Sequence, residues 1–272
     1  MREPLEVLFE REGLPTVDLP QQLHELYGGS IGFDEPRLYA NFVSTIDGVV
    51  AIPAIPRSNA LVAGSSDADR FVMGLLRAFA DVVLVGAGTL ASSPNGTWLP
   101  ERVFPPAAAA FAELRRRLGR AERPEVAILT GRGSIAPTHP VLASGALVLT
   151  SEPGAVRLQG DLPEASTVAI VGEEPEIDLR RAVEALHERR HGLILSEAGP
   201  HTFGGLVAAG LVDELFLTIS PLVAGDRGQP TRLGLAESVD LMPRGVRARL
   251  LGLRRHEEHL FLRYELDGRP AS

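Results

Sequence analysis

Short, wholly apolar runs separated by helical stretches constrain this chain more than any other feature. Val82-Val83-Leu84-Val85, bounded by Gly86, has no polar face at all, which suits a strand buried on both sides in a parallel sheet. Other short strands rich in apolar residues stand at Val126 to Leu129, Ala146 to Leu149, Thr167 to Val171, Gly192 to Leu195 and Leu215 to Ile219, and Leu38 to Thr45 reads as a further strand. Between them the spacing predicts helices over about 68–80, 107–118, 178–190 and 201–209. Ser66-Asp67 and Asp178 are placed to cap two of them. Arg247 to Arg255 and Leu260 to Leu266 alternate apolar and polar residues around Glu257-Glu258, which suits an antiparallel hairpin. Strands alternating with helices and closed by a hairpin imply an α/β fold whose sheet is mainly parallel with an antiparallel C-terminal edge.

The remaining organisation is simple. Residues 1–36 are polar and broken by Gly13, Pro15, Pro20, Gly28, Gly29 and Pro36, and are expected to pack as an N-terminal arm on a domain spanning 37–272. Residues 91–106, rich in Ser, Pro and Gly, are expected to form a long functional loop. With 272 residues the chain can bury a sizeable core. Its net charge of −8 argues against nucleic acid or an anionic membrane surface as partner. A small phosphorylated ligand remains compatible, since local dipoles and a few arginines suffice for it.

What is missing narrows the chemistry. The chain has no cysteine, which excludes disulfides, thiol catalysis and cysteine-ligated zinc. All 27 basic residues are arginine, which excludes a lysine Schiff base and a phosphate-loop lysine. The seven histidines show no metal-ligand spacing, so no metal is expected. No Gly-x-Ser-x-Gly elbow is present. The N-terminus is acidic where a signal peptide is apolar, and no apolar run reaches the roughly 18 residues of a membrane span, so a cytoplasmic protein is expected.

Candidate site residues cluster at strand ends. After the run ending at Leu195 come Ser196-Glu197-Ala198-Gly199-Pro200, then the helix from His201 and Thr202. A glycine turn feeding a helix N-terminus offers free N–H groups to an anion, although such turns also occur as plain α/β punctuation. Gly86-Ala87-Gly88-Thr89 follows another strand and carries two of the three glycines of a dinucleotide fingerprint. Ser44, Thr45 and Asp47 end a third strand, where Asp47-Gly48 is also an ordinary turn signal. Arg132 and Ser134 follow a fourth; an arginine between glycines can grip phosphate or stand solvated. Trp98 in the long loop suits stacking on a ring or anchoring the loop.

Taken in order, Ser44-Thr-Ile-Asp-Gly48, Leu75 to Thr89, Ser196-Glu-Ala-Gly-Pro200, Leu211-Val-Asp-Glu-Leu215 and Ile219-Ser-Pro-Leu-Val-Ala-Gly225 resemble the reductase domain of bacterial riboflavin biosynthesis. That family lies in the dihydrofolate-reductase-like superfamily, and the stand-alone pyrimidine reductases, which end in a pattern like Leu260-Phe-Leu-Arg-Tyr264, are the nearer likeness. The resemblance implies a three-layer α/β/α homodimer that uses NADPH. It implies hydride transfer to a pyrimidine- or pterin-type substrate, as in 5-amino-6-(5-phosphoribosylamino)uracil reductase, where hydride passes from nicotinamide C4 to the sugar C1. Carried over residue by residue, Gly86, Gly88, Thr89, Gly199, Pro200, His201 and Thr202 would hold the cofactor. Arg132, Ser134 and Thr150 would hold its adenosine end. Asp47 and Glu197 would be catalytic, and with Ser44, Trp98 and Arg102 they would bind substrate. The chain departs from the family at Asp47-Gly-Val-Val-Ala51 and over Leu90 to Arg102. A reduced-deazaflavin enzyme and a non-catalytic nucleotide-binding relative fit the same motifs.

Overall fold

The computed structural model describes residues 3–55, 58–226, 228 and 231–267. Ten strands form one sheet: β1 (Glu6–Glu10), β2 (Arg37–Ser44), β3 (Val82–Gly86), β4 (Glu125–Thr130), β5 (Leu147–Thr150), β6 (Thr167–Ile170), β7 (Leu193–Ser196), β8 (Glu214–Ile219), β9 (Ala248–His256) and β10 (His259–Leu266). Their order is β1-β9-β10-β8-β2-β7-β3-β4-β5-β6. From β8 to β6 all neighbours are parallel, and β10, β9 and β1 add on antiparallel. The expected α/β sheet, mainly parallel with an antiparallel C-terminal hairpin, is what the chain forms.

The helices are α1 (Gln21–Tyr27), α2 (Ser58–Val62), α3 (Asp67–Phe79), α4 (Ala87–Ser92), α5 (Pro100–Val103), α6 (Ala108–Arg117), α7 (Pro140–Ala143), α8 (Glu152–Leu158), α9 (Leu179–Glu188) and α10 (Pro200–Ala208). They cover both faces of the sheet. Phe71, Leu75 and Phe79 of α3 and Phe111 and Leu114 of α6 pack with Val83 and Val85 of β3. Val183 and Leu186 of α9 and Phe203 and Leu206 of α10 pack with the alternate residues, Val82 and Leu84. A strand with both faces covered must be apolar throughout, which is why β3 shows no alternation. The caps are those the sequence suggests. Ser66 Oγ accepts from Asp69 N at 3.3 Å, and Asp178 Oδ1 accepts from Arg180 N and Arg181 N at 2.9 and 3.2 Å.

Neither the hairpin nor the strand at Leu215 leaves an open edge: β8 is internal, between β2 and β10, and β9 is paired by β1 from the N-terminal segment. That segment also buries Leu5, Leu19, Leu23, Tyr27 and Ile31 in the main core. Arg254 fixes it: its Nε donates to Tyr27 O at 2.9 Å, its guanidinium stacks on the Tyr27 ring, and it pairs with Glu10. One expectation needs correction: residues 91–106 are not one long open loop. The end of α4, α5 and a short helical turn at Pro105–Ala107 occupy half of them, and Trp98, Phe104 and Ala107 are drawn into the core.

Topology places the site. After β2 the chain leaves one position vacant, lays down β3 and proceeds outward through β4, β5 and β6. It then returns to insert β7 into the gap and adds β8 on the far side of β2. Where strand order reverses in this way, the turns leaving the carboxyl ends of adjacent strands diverge and open a crevice. Here those ends belong to β2, β7 and β3.

Candidate active site

A cleft of about 190 Å³ lies at that crevice. Asn41, Phe42 and Val43 of β2 form one side. The turn Glu197-Ala198-Gly199-Pro200 after β7 forms another, with Thr89 of α4 beside it, and Trp98 also lines the cleft. Helix α3 contributes Asp69, Met73 and Arg77. These three are spaced i, i+4, i+8, so they fall on one stripe of the helix. Two charged residues on a stripe of an otherwise well-buried helix were the available sequence signal for this wall, and the motif reading passed over it.

Glu197 does not stand free. Arg77 Nε donates to Oε1 at 2.8 Å and Arg77 Nη2 to Oε2 at 2.6 Å, a fork with both side chains only 10% exposed. The geometry fixes the carboxylate at the mouth of β7 as a charged acceptor. Asp69 has the opposite environment. It is 5% exposed, and the ion pairs of α3 go elsewhere, Arg77 to Glu197 and Arg70 to Asp67. Burial raises its pKa to about 6; a hydrogen bond with the Thr218 side chain and the nearby His259 oppose this, while Glu197 adds to it.

The two glycine turns converge. A Cβ on Gly86 would lie 3.5 Å from Thr202 Oγ1, and one on Gly199 would lie 3.8 Å from Thr89 Oγ1. The turn after β3 and the start of α10 therefore face each other at van der Waals range. No side chain caps α10, whose N-cap is Gly199 and whose first residue is Pro200. Its first-turn N–H groups and dipole are left for an anion, and the small residues around them let a ligand backbone come close. The donor chemistry fits the pyrophosphate of a dinucleotide. His201 turns outward to Ser238, with Nδ1 2.8 Å from Oγ.

Other expected residues are placed differently. Asp47 is exposed and outside the cleft lining. Its carboxylate accepts from Thr45 Oγ1 at 2.5 Å, Ala224 N at 3.0 Å and Gly225 N at 2.7 Å, so it ties down the segment after β8. Those bonds, the Thr45 hydroxyl first, pull its pKa to about 2. Ser44 is buried, with Oγ donating to Thr45 O. Thr150 has no exposed surface to offer a ligand, because Oγ1 donates to Thr130 O at 2.5 Å and ties β5 to β4. Arg132 and Ser134 sit on the surface, where Arg157 Nη1 donates to Ser134 Oγ at 3.1 Å. Arg102 is exposed on α5, so the arginine in the cleft is Arg77. Gly88 has open space around it. Trp98 lines the cleft, is 4% exposed and lies against the ring of His139, whose Nε2 is 2.9 Å from Ser93 O. Among the described residues, no group of three or more histidines or carboxylates could hold a metal ion. No helix of the described residues is long and apolar enough to cross a membrane.

Known proteins share this fold. A pyrimidine reductase-like protein from Corynebacterium diphtheriae is 25% identical, with a TM-score of 0.65 over 91% of this chain and 95% of its own. RibD from Acinetobacter baumannii is 19% identical, with a TM-score of 0.61 over 89% of this chain and 60% of its own. The Thermotoga maritima diaminohydroxyphosphoribosylaminopyrimidine deaminase/5-amino-6-(5-phosphoribosylamino)uracil reductase is 19% identical, with a TM-score of 0.60 over 85% of this chain and 56% of its own. This chain thus spans little more than half of those last two proteins, whose likeness speaks for the fold. Among curated proteins, none matches it in sequence. Residues 36–261 match the model of the RibD C-terminal domain. The chain therefore belongs to the RibD C-terminal domain family, the oxidoreductase family of riboflavin biosynthesis.

Proposed function

We propose that this chain is an NADPH-dependent reductase of a phosphoribosylated pyrimidine, of the 5-amino-6-(5-phosphoribosylamino)uracil type. The observation that carries the reading is the cleft that gathers two sets of groups. Thr89 and the uncapped start of α10 suit the cofactor phosphates. The Arg77–Glu197 fork and Asp69 suit a polar substrate. When bound, the nicotinamide supplies the hydride. The chain's own residues orient the two partners: α10 holds the pyrophosphate, Trp98 lines the cleft, and Glu197 accepts a hydrogen bond from a sugar hydroxyl. The fixed fork keeps that acceptor charged and immobile, which is what a positioning contact requires.

NADPH titration followed by calorimetry tests the cofactor half; absence of binding up to about millimolar concentration, a free energy near −4 kcal/mol, would sink it. Incubation with the deaminated riboflavin precursor, watching NADPH absorbance, tests the substrate half. We place the protein in the cytoplasm as a homodimer. What supports a second copy is the outer edge of the sheet, where Val168 and Ile170 of β6 and Val156 of α8 leave apolar side chains in water beside unpaired backbone. Light scattering giving the 29.1 kDa mass of one chain would overturn that assignment.

A further inference from the structure

Four arginines are buried among the described residues: Arg77, Arg115, Arg254 and Arg263. Three of them meet a carboxylate, Glu197, Glu10 and Glu214 respectively. Arg115 of α6, 2% exposed, pairs with none among the described residues. Its Nε donates to Ala121 O at 2.8 Å, and its Nη1 to Ala80 O at 2.7 Å, with Ala78 O and Arg77 O at 3.2 and 3.3 Å. Those bonds close the carboxyl end of α3, where the helix dipole suits a cation. Nη2 is buried and has no partner. Burial pulls the guanidinium pKa down to about 10, so the group still carries its charge at neutral pH. A buried cation without a counter-charge is unfavourable, and its unbonded N–H groups call for an acceptor.

What surface Arg115 keeps borders a cavity of about 410 Å³, a volume suited to a small molecule. It lies at the amino ends of β3, β4 and β5, whereas the cleft lies at carboxyl ends. Leu99, Val126 and Val141 give it apolar walls, and exposed Arg123 stands at its rim. Its two carboxylates are already engaged. Asp81 accepts from Arg120 and from Leu193 N, the latter at 2.8 Å, and Glu125 pairs with Arg189 and His191 at 2.9 and 2.6 Å. One short segment serves both cavities: Thr97 and Leu99 line this one, and Trp98 between them lines the cleft.

We propose that this cavity is an effector site for a small monocarboxylic acid with an apolar body. The carboxylate pairs with Arg115, the body packs on Leu99, Val126 and Val141, and the cleft feels the occupant through Trp98. One unmatched guanidinium calls for one negative charge. A doubly charged phosphate would meet repulsion from Asp81 and Glu125.

Benzoate serves as the probe. Calorimetry on the full chain is expected to show saturable one-site binding that saturating NADPH does not displace, and binding should shift the emission of Trp98. Ser144→Phe fills the mouth of the cavity from an exposed position and leaves the bonds of Arg115 intact. It should keep the wild-type melting temperature and weaken benzoate binding at least about tenfold. Arg115→Met should weaken it as much through the lost charge-assisted bond; should losing the α3 carbonyl contacts unfold that variant, Ser144→Phe still decides. Inorganic phosphate should bind at least roughly tenfold more weakly than benzoate. No saturable binding, binding that Ser144→Phe retains in full, or competition with NADPH overturns the site. Phosphate binding as tightly as benzoate overturns the ligand class, and an unmoved Trp98 emission overturns the coupling to the cleft.

Discussion

Arg77 and Glu197 lie 120 residues apart in the chain and meet in a two-bond fork beside the cleft. The fork joins the middle layer of the fold to one outer layer, because α3 carries the arginine and the turn after β7 carries the carboxylate. Removing one partner of a largely buried pair leaves a charge without compensation, which costs about 3 kcal/mol or more. Arg77→Met should therefore destabilise the fold by about that amount in urea unfolding. The double variant Arg77→Met with Glu197→Gln should recover most of the loss, because the orphan charge is gone. Equal losses in the single and double variants would show that packing of the arginine stem, not charge, dominates.

Asp69 should make stability depend on pH in the sense opposite to most carboxylates. Unfolded, it ionises near the ordinary 3.8; folded, near 6. Below both values the group is protonated in both states and its full contribution is present. As pH rises between them, the unfolded chain releases a proton that the folded chain retains, so stability falls, levelling off above about 6. Two pKa units correspond to about 3 kcal/mol as an upper figure. Asp69→Asn should be free of this loss. Relative to wild type, its urea midpoint should gain from pH 4 to about 6 and then level off, and a constant difference from pH 4 to 7 would count against a buried, protonated Asp69.

Much of this molecule was legible in the sequence. Apolar runs such as Val82 to Val85 and the cap residues Ser66 and Asp178 act locally, so a window of a few residues carries their meaning. The glycine turns at 86–89 and 199–202 were legible for the same reason, since backbone that must approach a ligand needs residues without bulk. The other wall was not. Asp69 and Arg77 matter because of Thr218 and Glu197, which lie far away in sequence, and their helix also reads as an ordinary core helix. Asp47 was misleading for a related reason. An Asp-Gly turn at a strand end offers a ligand group and a structural latch with equal plausibility, and only Ala224 and Gly225, brought in by β8, reveal the latch.

That latch has its own signature. Asp47 is held near pKa 2, so its bonds contribute stability above the unfolded value near 3.8 and lose it as pH falls through about 2. Asp47→Ala should speed hydrogen exchange at the Ala224 and Gly225 amides while leaving NADPH affinity unchanged. A selective loss of substrate binding, with those amides still protected, would restore the ligand role that the sequence motif suggested.

Trp98 provides the most direct view of the cleft, because it is the only tryptophan in the chain. It is buried against His139, and Gly96 leaves the space its ring occupies: a Cβ there would come within 2.8 Å of the indole. Its backbone is held at φ 52°, a conformation that packing must support in a residue of this size. A nicotinamide entering beside Thr89 and Glu197 would come within energy-transfer range of the indole, so NADPH should quench the protein fluorescence in a saturable manner. Trp98→Phe should abolish that signal but bind NADPH by calorimetry with an affinity within about tenfold of wild type, the equivalent of about 1.4 kcal/mol. Gly96→Ala, which forces the indole to move, should weaken the quench in wild-type background and lower the melting temperature together. Quenching that persists in Trp98→Phe would mean that the nucleotide binds elsewhere on the molecule.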